Sequence, residues 1–154
     1  MKSKIVKIFL ILSLLLTSNC GFKPIFIKSN YDFSISIKSS SGSERVNNQI
    51  IYSLKNLNGS SNYNVSILSN EQKNTISKDS KGDPSILEIV LNLNYIVEKD
   101  NKTLFNENLV QRSTYNNISD KFELKKSEEI LVQNLTENFI QEIISSVSSL
   151  NNDN

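Results

Sequence analysis

Apolar and polar residues alternate along several stretches of this chain, and the alternation predicts β-strands. The first runs cover residues 31–37 and 63–67, each with the period of a strand that buries one face. The longest alternating run covers 87–97. A polar turn at 99–102 separates it from another run at 103–115, so the two predict a long antiparallel hairpin.

Between the first two strands the apolar period becomes helical. Four residues recur at helical spacing: Val46, Ile50, Leu54 and Leu57. Ser43 precedes this run as a candidate cap and Gly59 follows it, which predicts a helix of roughly four turns. The strand, helix, strand order predicts a parallel or mixed pairing with a crossover. The polar segment 69–84 predicts a loop or a weak edge strand.

From Ser119 onward the apolar residues again follow a helical period. The predicted stripe consists of Phe122, Leu131, Leu135, Phe139, Ile143, Val147 and Leu150, widened by Val132, Ile140 and Ile144. A stripe of this width is expected of a helix packed on a sheet. Glu128 and Glu129 complement the positive end of the helix dipole if the main segment begins near Ser127. Residues 151–154 are predicted to be a frayed tail.

The beginning of the chain has the order of an export signal. Three lysines lie within the first seven residues, and the apolar run 8–16 follows them, broken only by Ser13. A membrane-spanning helix needs about 20 apolar residues, so this run is too short and is typical of a signal peptide. We therefore predict a signal peptide at 1–19, an extended tether at 20–30 and a single domain at 31–150.

Cys20 is the only cysteine and directly follows the predicted signal. A disulfide within the chain is excluded, so this thiol pairs between chains, stays free or is modified. Its position resembles a bacterial lipoprotein signal, in which the cysteine is diacylated on sulfur and acylated on nitrogen after cleavage. Thr17 and Asn19 depart from the usual residues of that motif. The alternative is an ordinary signal peptide cleaved nearby, which leaves an unmodified thiol.

Composition restricts the classes of function. Loss of residues 1–19 removes three lysines and no acids from the 17 basic and 16 acidic side chains, leaving 14 and 16 and a formal charge of −2. This balance argues against a nucleic-acid partner. The chain has no histidine, which removes the commonest metal ligand and general base, so we expect no metal site and no enzyme. A hydrolase using paired carboxylates from Glu88, Glu98 or Glu107 is the remaining catalytic alternative.

Three motifs resemble the LPS-assembly lipoprotein family called LptE. The opening Cys-Gly-Phe-Lys-Pro-Ile-Phe at 20–26 is similar to the start of many members. The segment 82–95 resembles the family's glycine followed by a long alternating strand, and 113–116 resembles the close of the partner strand. Gly21 after the cysteine also fits sorting to the outer membrane.

The resemblance implies an α+β fold, with two helices packed on one face of a mixed sheet of roughly four strands in β-α-β-β-β-α order. It implies an outer-membrane lipoprotein, periplasm-facing or inside a barrel lumen, that plugs and helps assemble the LptD β-barrel and helps deliver lipopolysaccharide to the cell surface. By the same resemblance, Lys99, Lys102 and Arg112 are candidate contacts to lipopolysaccharide phosphates. The acyl groups on Cys20 are then the only attached group, and no cofactor is expected. The alternative function is a general lipoprotein binding module with an unrelated ligand.

Overall fold

The computed structural model describes residues 31–152. The predicted signal peptide, Cys20 and the tether lie outside these residues. The elements in chain order are β1 (Phe33–Gly42), α1 (Glu44–Leu54), β2 (Ser61–Lys78), β3 (Pro84–Lys99), β4 (Lys102–Asn116) and α2 (Lys121–Asn152). The α+β class and the β-α-β-β-β-α order expected from the sequence are confirmed.

The strands form one four-stranded sheet in the order β1-β2-β3-β4. β1 pairs with β2 in parallel, with α1 as the crossover, and the other two pairings are antiparallel. Alternate residues of each strand point to one face, where both helices cover them. On β3 the predicted inward residues 87, 89, 91, 93, 95 and 97 are all buried. A single core therefore lies between the sheet and the helix pair.

The hairpin predicted for β3 and β4 is also confirmed. Its two turn residues, Asp100 and Asn101, have φ values of 51° and 61°. Two consecutive residues with positive φ define the turn whose twist matches that of the flanking strands. Asp and Asn tolerate this region better than most residues because their short polar side chains bond locally.

The segment 69–84, predicted as a loop or a weak edge strand, is a strand over most of its length. β2 continues to Lys78 and pairs with β3 from Ser69 opposite Leu93 to Lys78 opposite Pro84. β1 ends where Gly42 lies opposite Ser69, so the rest of β2 lies at the rim of the sheet. This is the edge-strand alternative, and it explains the polar composition, because a strand with an open edge and one solvated face needs few apolar residues.

α1 begins after Ser43 as predicted, but the serine does not cap it through its side chain. The Ser43 hydroxyl donates instead to Glu71 of β2, 3.2 Å away. The helix also ends early, at Leu54 rather than at Leu57. Gly59 lies in the following loop, where a Cβ atom would stand 1.9 Å from the Phe33 nitrogen. Glycine is therefore needed there for close passage past β1 and not for ending the helix.

α2 begins at Lys121, close to Ser119, where the helical period of the sequence begins, and before Ser127, the conditional start of its main segment. The Asp120 carboxylate accepts hydrogen bonds from the backbone N–H groups of Phe122 and Glu123 at 2.9 and 3.2 Å, which satisfies two otherwise unpaired donors. This start turns Phe122 outward, so the side chain is 74% exposed and its predicted place in the core is wrong. Leu124 is buried instead.

The end of α2 extends into the predicted tail. The helix continues to Asn152, and the Tyr63 hydroxyl donates to Asn151 Oδ1 at 3.3 Å. Among residues 31–152, no helix combines the length and apolarity that a membrane span requires.

Candidate functional site

The face of the sheet opposite the helices is uncovered within residues 31–152, and we call it the open face. It is formed by the even-numbered residues of β2 up to position 74, those of β3, and those of β4 from Asn106 onward, together with Ser34 and Ser36 of β1. Amide side chains predominate there: Asn62, Asn64, Asn70, Gln72, Asn74, Asn92, Asn94, Asn106, Asn108 and Asn116. An amide both donates and accepts hydrogen bonds. The open face therefore presents polar groups of both kinds without net charge.

Two exposed aliphatic residues lie in the middle of these amides. Leu68 is 55% exposed and Val110 is 45% exposed. Asn94 lies opposite Leu68, and Asn92 lies opposite Val110. Asn94 also donates to the Asn106 side chain at 3.2 Å and to the Glu107 carbonyl at 3.3 Å, which fixes its orientation. The centre of the open face is thus a surface in which amide and aliphatic groups alternate.

The charges on the open face lie towards its two ends. At one end Lys38 of β1 pairs with Glu98 of β3 at 2.5 Å. At the other end lie Glu88 and Arg112. Because burying a charge costs far more than burying a hydrogen-bonded amide, the uncharged centre is the part of the surface best suited to close contact with another polar surface.

The three carboxylates considered for hydrolysis are not brought together. Glu88 and Glu98 share the open face but lie about 33 Å apart along β3, at about 3.3 Å per residue. Glu107 lies on the helix side, where its carboxylate accepts a 3.0 Å hydrogen bond from the Tyr95 hydroxyl. Among the described residues, no group of three or more acidic or cysteine side chains is placed to hold a metal ion.

The three basic candidates for phosphate contact fall into two places. Lys99 and Lys102 lie opposite each other beside the hairpin turn. The Lys99 amine stands 5.0 Å from the centroid of the Tyr63 ring, a cation–π arrangement. Arg112 lies opposite Val90, about 30 Å away along β3 at about 3.3 Å per residue. The structure therefore unites the two lysines and separates Arg112 from them.

A polar cluster on the helix side of the sheet was not predicted from the sequence. Glu128 of α2 accepts hydrogen bonds from Lys73 and Tyr115, each at 2.6 Å. Next to it, Glu71 pairs with Arg45 of α1. Burial alone raises the pKa of Glu128, but the hydrogen bonds from Lys73 and Tyr115 outweigh it, so the pKa is lowered overall. Burial and the Glu128 carboxylate raise the pKa of Tyr115.

This cluster joins both helices to the rim of β2. Its members are far apart in the chain, and single polar residues in strands carry no signal of their partners. The open face had a weak sequence signal, since asparagine occupies alternate positions such as 62 and 64, 92 and 94, and 106 and 108.

The sequence matches no family model and no curated protein. Solved structures do share the fold. Rare lipoprotein B from Shewanella oneidensis is 14% identical, with a TM-score of 0.59 over 79% of this chain and 96% of that chain. Lipoprotein B from Nitrosomonas europaea is 15% identical, with a TM-score of 0.60 over 86% and 93%. A minor lipoprotein from Acinetobacter baumannii is 12% identical, with a TM-score of 0.58 over 79% and 93%. The chain thus has a fold found in bacterial lipoproteins.

Proposed function

We propose that this protein is a lipid-anchored lipoprotein of the outer membrane that plugs an LptD-type β-barrel, assists its assembly and helps deliver lipopolysaccharide to the cell surface. In this proposal Cys20 carries the acyl chains. Each buried methylene contributes about 0.8 kcal/mol, so two or three chains hold a domain at a bilayer without a spanning helix.

The fold supports the lipoprotein part of the proposal. The chain shares its architecture over most of its length with solved lipoproteins, and its own first twenty residues have the order of a lipoprotein signal. These observations are independent, because the signal-like segment lies outside the described residues that define the fold.

The uncharged, amide-rich open face is the observation that carries the barrel part of the proposal. The lumen of a membrane β-barrel is lined by polar side chains and water. A plug that fits there loses hydrogen bonds to water and gains hydrogen bonds to the barrel wall. Its surface must make this replacement at little cost in free energy. The centre of the open face has this chemistry, and Leu68 and Val110 add apolar contact.

Copurification after mild detergent extraction tests the proposal. The full-length lipoprotein is expected to retain a large β-barrel protein. Charging the open face by Asn70→Glu together with Asn94→Glu is expected to reduce the retained barrel at least tenfold, because the carboxylates become buried without partners. The matched control is Asn134→Glu together with Asn138→Glu, two exposed amides on α2, and this variant is expected to retain the barrel.

Recovery of no barrel with the unaltered protein would contradict the plug. If the open-face variant and the control retain the barrel equally, the barrel remains the partner. The open face is then rejected as the surface that contacts it. Depletion separates the plug from a binding module with another ligand, since only the plug predicts loss of lipopolysaccharide from the cell surface.

A further inference from the structure

β4 forms one rim of the sheet, and its outer side has no neighbouring strand in residues 31–152. The hydrogen bonds show which backbone groups point outward. The Asn117 N–H donates to the Ser85 carbonyl at 2.9 Å, so these residues form a hydrogen-bonded antiparallel pair. Such pairs alternate along an antiparallel ladder. The odd residues of β4 therefore bond to β3, and the even residues from Asn106 to Asn116 direct their N–H and C=O groups away from the sheet.

The other two rims carry features that discourage strand addition. β1 is interrupted by a bulge between Ile37 and Ser39 and carries Lys38 there. The rim portion of β2 carries Glu71, Lys73 and Lys78, and its register shifts twice near its end. Charges and bulges are the usual means by which natural sheets block their edges.

β4 lacks these features. Its pairing with β3 is regular from Phe105 to Asn116. This stretch contains no proline or glycine, and only Glu107 and Arg112 are charged. A long, regular rim of low charge is a template for another strand.

We propose that β4 pairs antiparallel with β4 of a second copy of this chain, about a two-fold axis at Val110, to give one continuous eight-stranded sheet from two four-stranded ones. The helices of both copies then lie on the same side. In this register each outward-directed residue of one copy meets an outward-directed residue of the other, as the hydrogen-bonding pattern of an antiparallel ladder requires.

The side chains favour this register over its neighbours. Val110 meets Val110 of the second copy, and Phe105 meets Tyr115 of the second copy. Cross-strand aromatic and β-branched pairs stabilise antiparallel sheets, and like charges placed opposite each other destabilise them. Glu107 falls opposite Ser113 and Arg112 opposite Asn108, so no like charges meet. An axis at Leu109 or Gln111 separates both apolar pairs. The axis at Leu109 gains only Leu109 opposite itself, and that side chain already packs against the core of its own copy. This self-complementarity is the reason for assigning a second copy as the occupant.

The pairing concerns the protein outside a barrel and does not rest on the proposed function. Its test reads self-association and not barrel retention, so either proposal can fail while the other stands.

Thiol cross-linking of the full-length protein with a short bifunctional maleimide tests the pairing. Val110→Cys is expected to give a covalent dimer, because hydrogen-bonded residues at the axis have Cα atoms about 5.5 Å apart and the reagent bridges a gap between Cβ atoms that is too wide for a direct disulfide. Asn106→Cys and Thr114→Cys are the matched single controls. Neither is expected to cross-link, since each lies about 27 Å from its own copy at about 3.4 Å per residue. The double variant carrying both is expected to cross-link, because these positions face each other.

The unaltered protein serves as the control for cross-linking through Cys20. Failure of Val110→Cys to form a dimer, or equal dimer from all the single variants, would overturn the proposed pairing. A cross-link only to a different protein would reject the second copy as the occupant.

Sedimentation of the purified full-length protein in detergent provides an independent measurement. Val110→Lys places two ammonium groups opposite each other at the axis and is expected to weaken self-association at least tenfold. Asn106→Lys adds the same charge to the same strand opposite a threonine and is expected to change it less than twofold. Equal effects of the two substitutions would contradict the register.

Discussion

The Tyr115 hydroxyl donates a 2.6 Å hydrogen bond to Glu128 Oε1, the same oxygen that receives the Lys73 amine. This contact ties the first third of α2 to β4 and β2. Leu124 is the only residue of α2 before position 132 that is buried. The first turns of α2 therefore depend on this polar contact more than on apolar packing.

Loss of the Glu128 carboxylate should destabilise the protein. We expect Glu128→Ala to lower the free energy of unfolding by about 2 kcal/mol, because it removes hydrogen bonds to a charged group that is mostly buried. Urea unfolding followed by circular dichroism measures the loss. Glu129→Ala is the matched control, since its 4.0 Å pair with Lys125 is exposed and should contribute less than about 0.5 kcal/mol. Equal losses for the two variants would show that the contact does not hold the helix.

Acid should weaken the same contact. The folded-state pKa of Glu128 lies below its ordinary value of 4.5, so its contribution to stability is present above that value. It is lost as the pH falls through the lowered folded pKa. We expect the stability of the unaltered protein to decline below pH 4.5 more steeply than that of Glu128→Gln. Parallel curves from pH 7 to pH 3 would contradict the assignment.

High pH should lower the stability of the protein through ionisation of the Tyr95 hydroxyl. Burial, with the nearby Glu107 carboxylate, raises the pKa of this hydroxyl to about 12 from 10.0, despite the opposing hydrogen bond with Ser146. A raised pKa contributes stability that is fully present below pH 10 and is lost as the pH rises through the folded value. Unfolding measured between pH 9 and 12 should therefore show a smaller decline for Tyr95→Phe than for the unaltered protein. An unchanged slope in the variant would rule out this linkage.

Gly42 is required where β1 turns into α1. Its φ is +99°, and a Cβ atom would stand 1.7 Å from the Ser69 carbonyl oxygen. We expect Gly42→Ala to cost at least about 3 kcal/mol, since backbone strain and overpacking add. Gly82→Ala is the control with φ +89° but open space around the Cβ, and it should cost only about 1 kcal/mol. Thermal unfolding distinguishes the two, and similar midpoints would refute the steric argument.

In the proposed function, the two lysines beside the hairpin turn act as a pair on phosphate. We expect Lys99→Gln with Lys102→Gln to weaken binding of lipopolysaccharide about fivefold, the effect of about 1 kcal/mol for exposed charges. Arg112→Gln, which removes one charge about 30 Å away at about 3.3 Å per residue, should change binding less than twofold. Titration with purified lipopolysaccharide gives both values. A larger effect of Arg112→Gln would place the phosphate contact on the open face.

Comparison of particular segments shows what local pattern predicts. The alternation over 87–97 correctly identified the buried face of β3, because inward and outward positions of a strand follow directly from its period. The same reasoning left 69–78 open between a loop and a weak edge strand, because the residues are polar on both faces and strand formation depends on pairing with β3. It failed for Phe122 because one carboxylate, Asp120, sets where α2 begins.

The features of the candidate site were likewise predictable from the sequence only in part. Alternate asparagines on three strands are visible in the sequence, yet their union into one uncharged surface depends on the register of β2, β3 and β4. Lys99, Lys102 and Arg112 look equivalent in the sequence. The hairpin register places the first two opposite each other and the third towards the other end.

The sequence by itself determined the order of helices and strands, the inward residues of the regular strands and the signal-like start with Cys20, because these depend on neighbours within a few residues. Only the tertiary structure decided which face of the sheet stays open, which carboxylate joins α2 to the rim and which edge is left unblocked. Those features arise from contacts between residues far apart in the chain, and a local pattern carries no record of which distant segment will meet it.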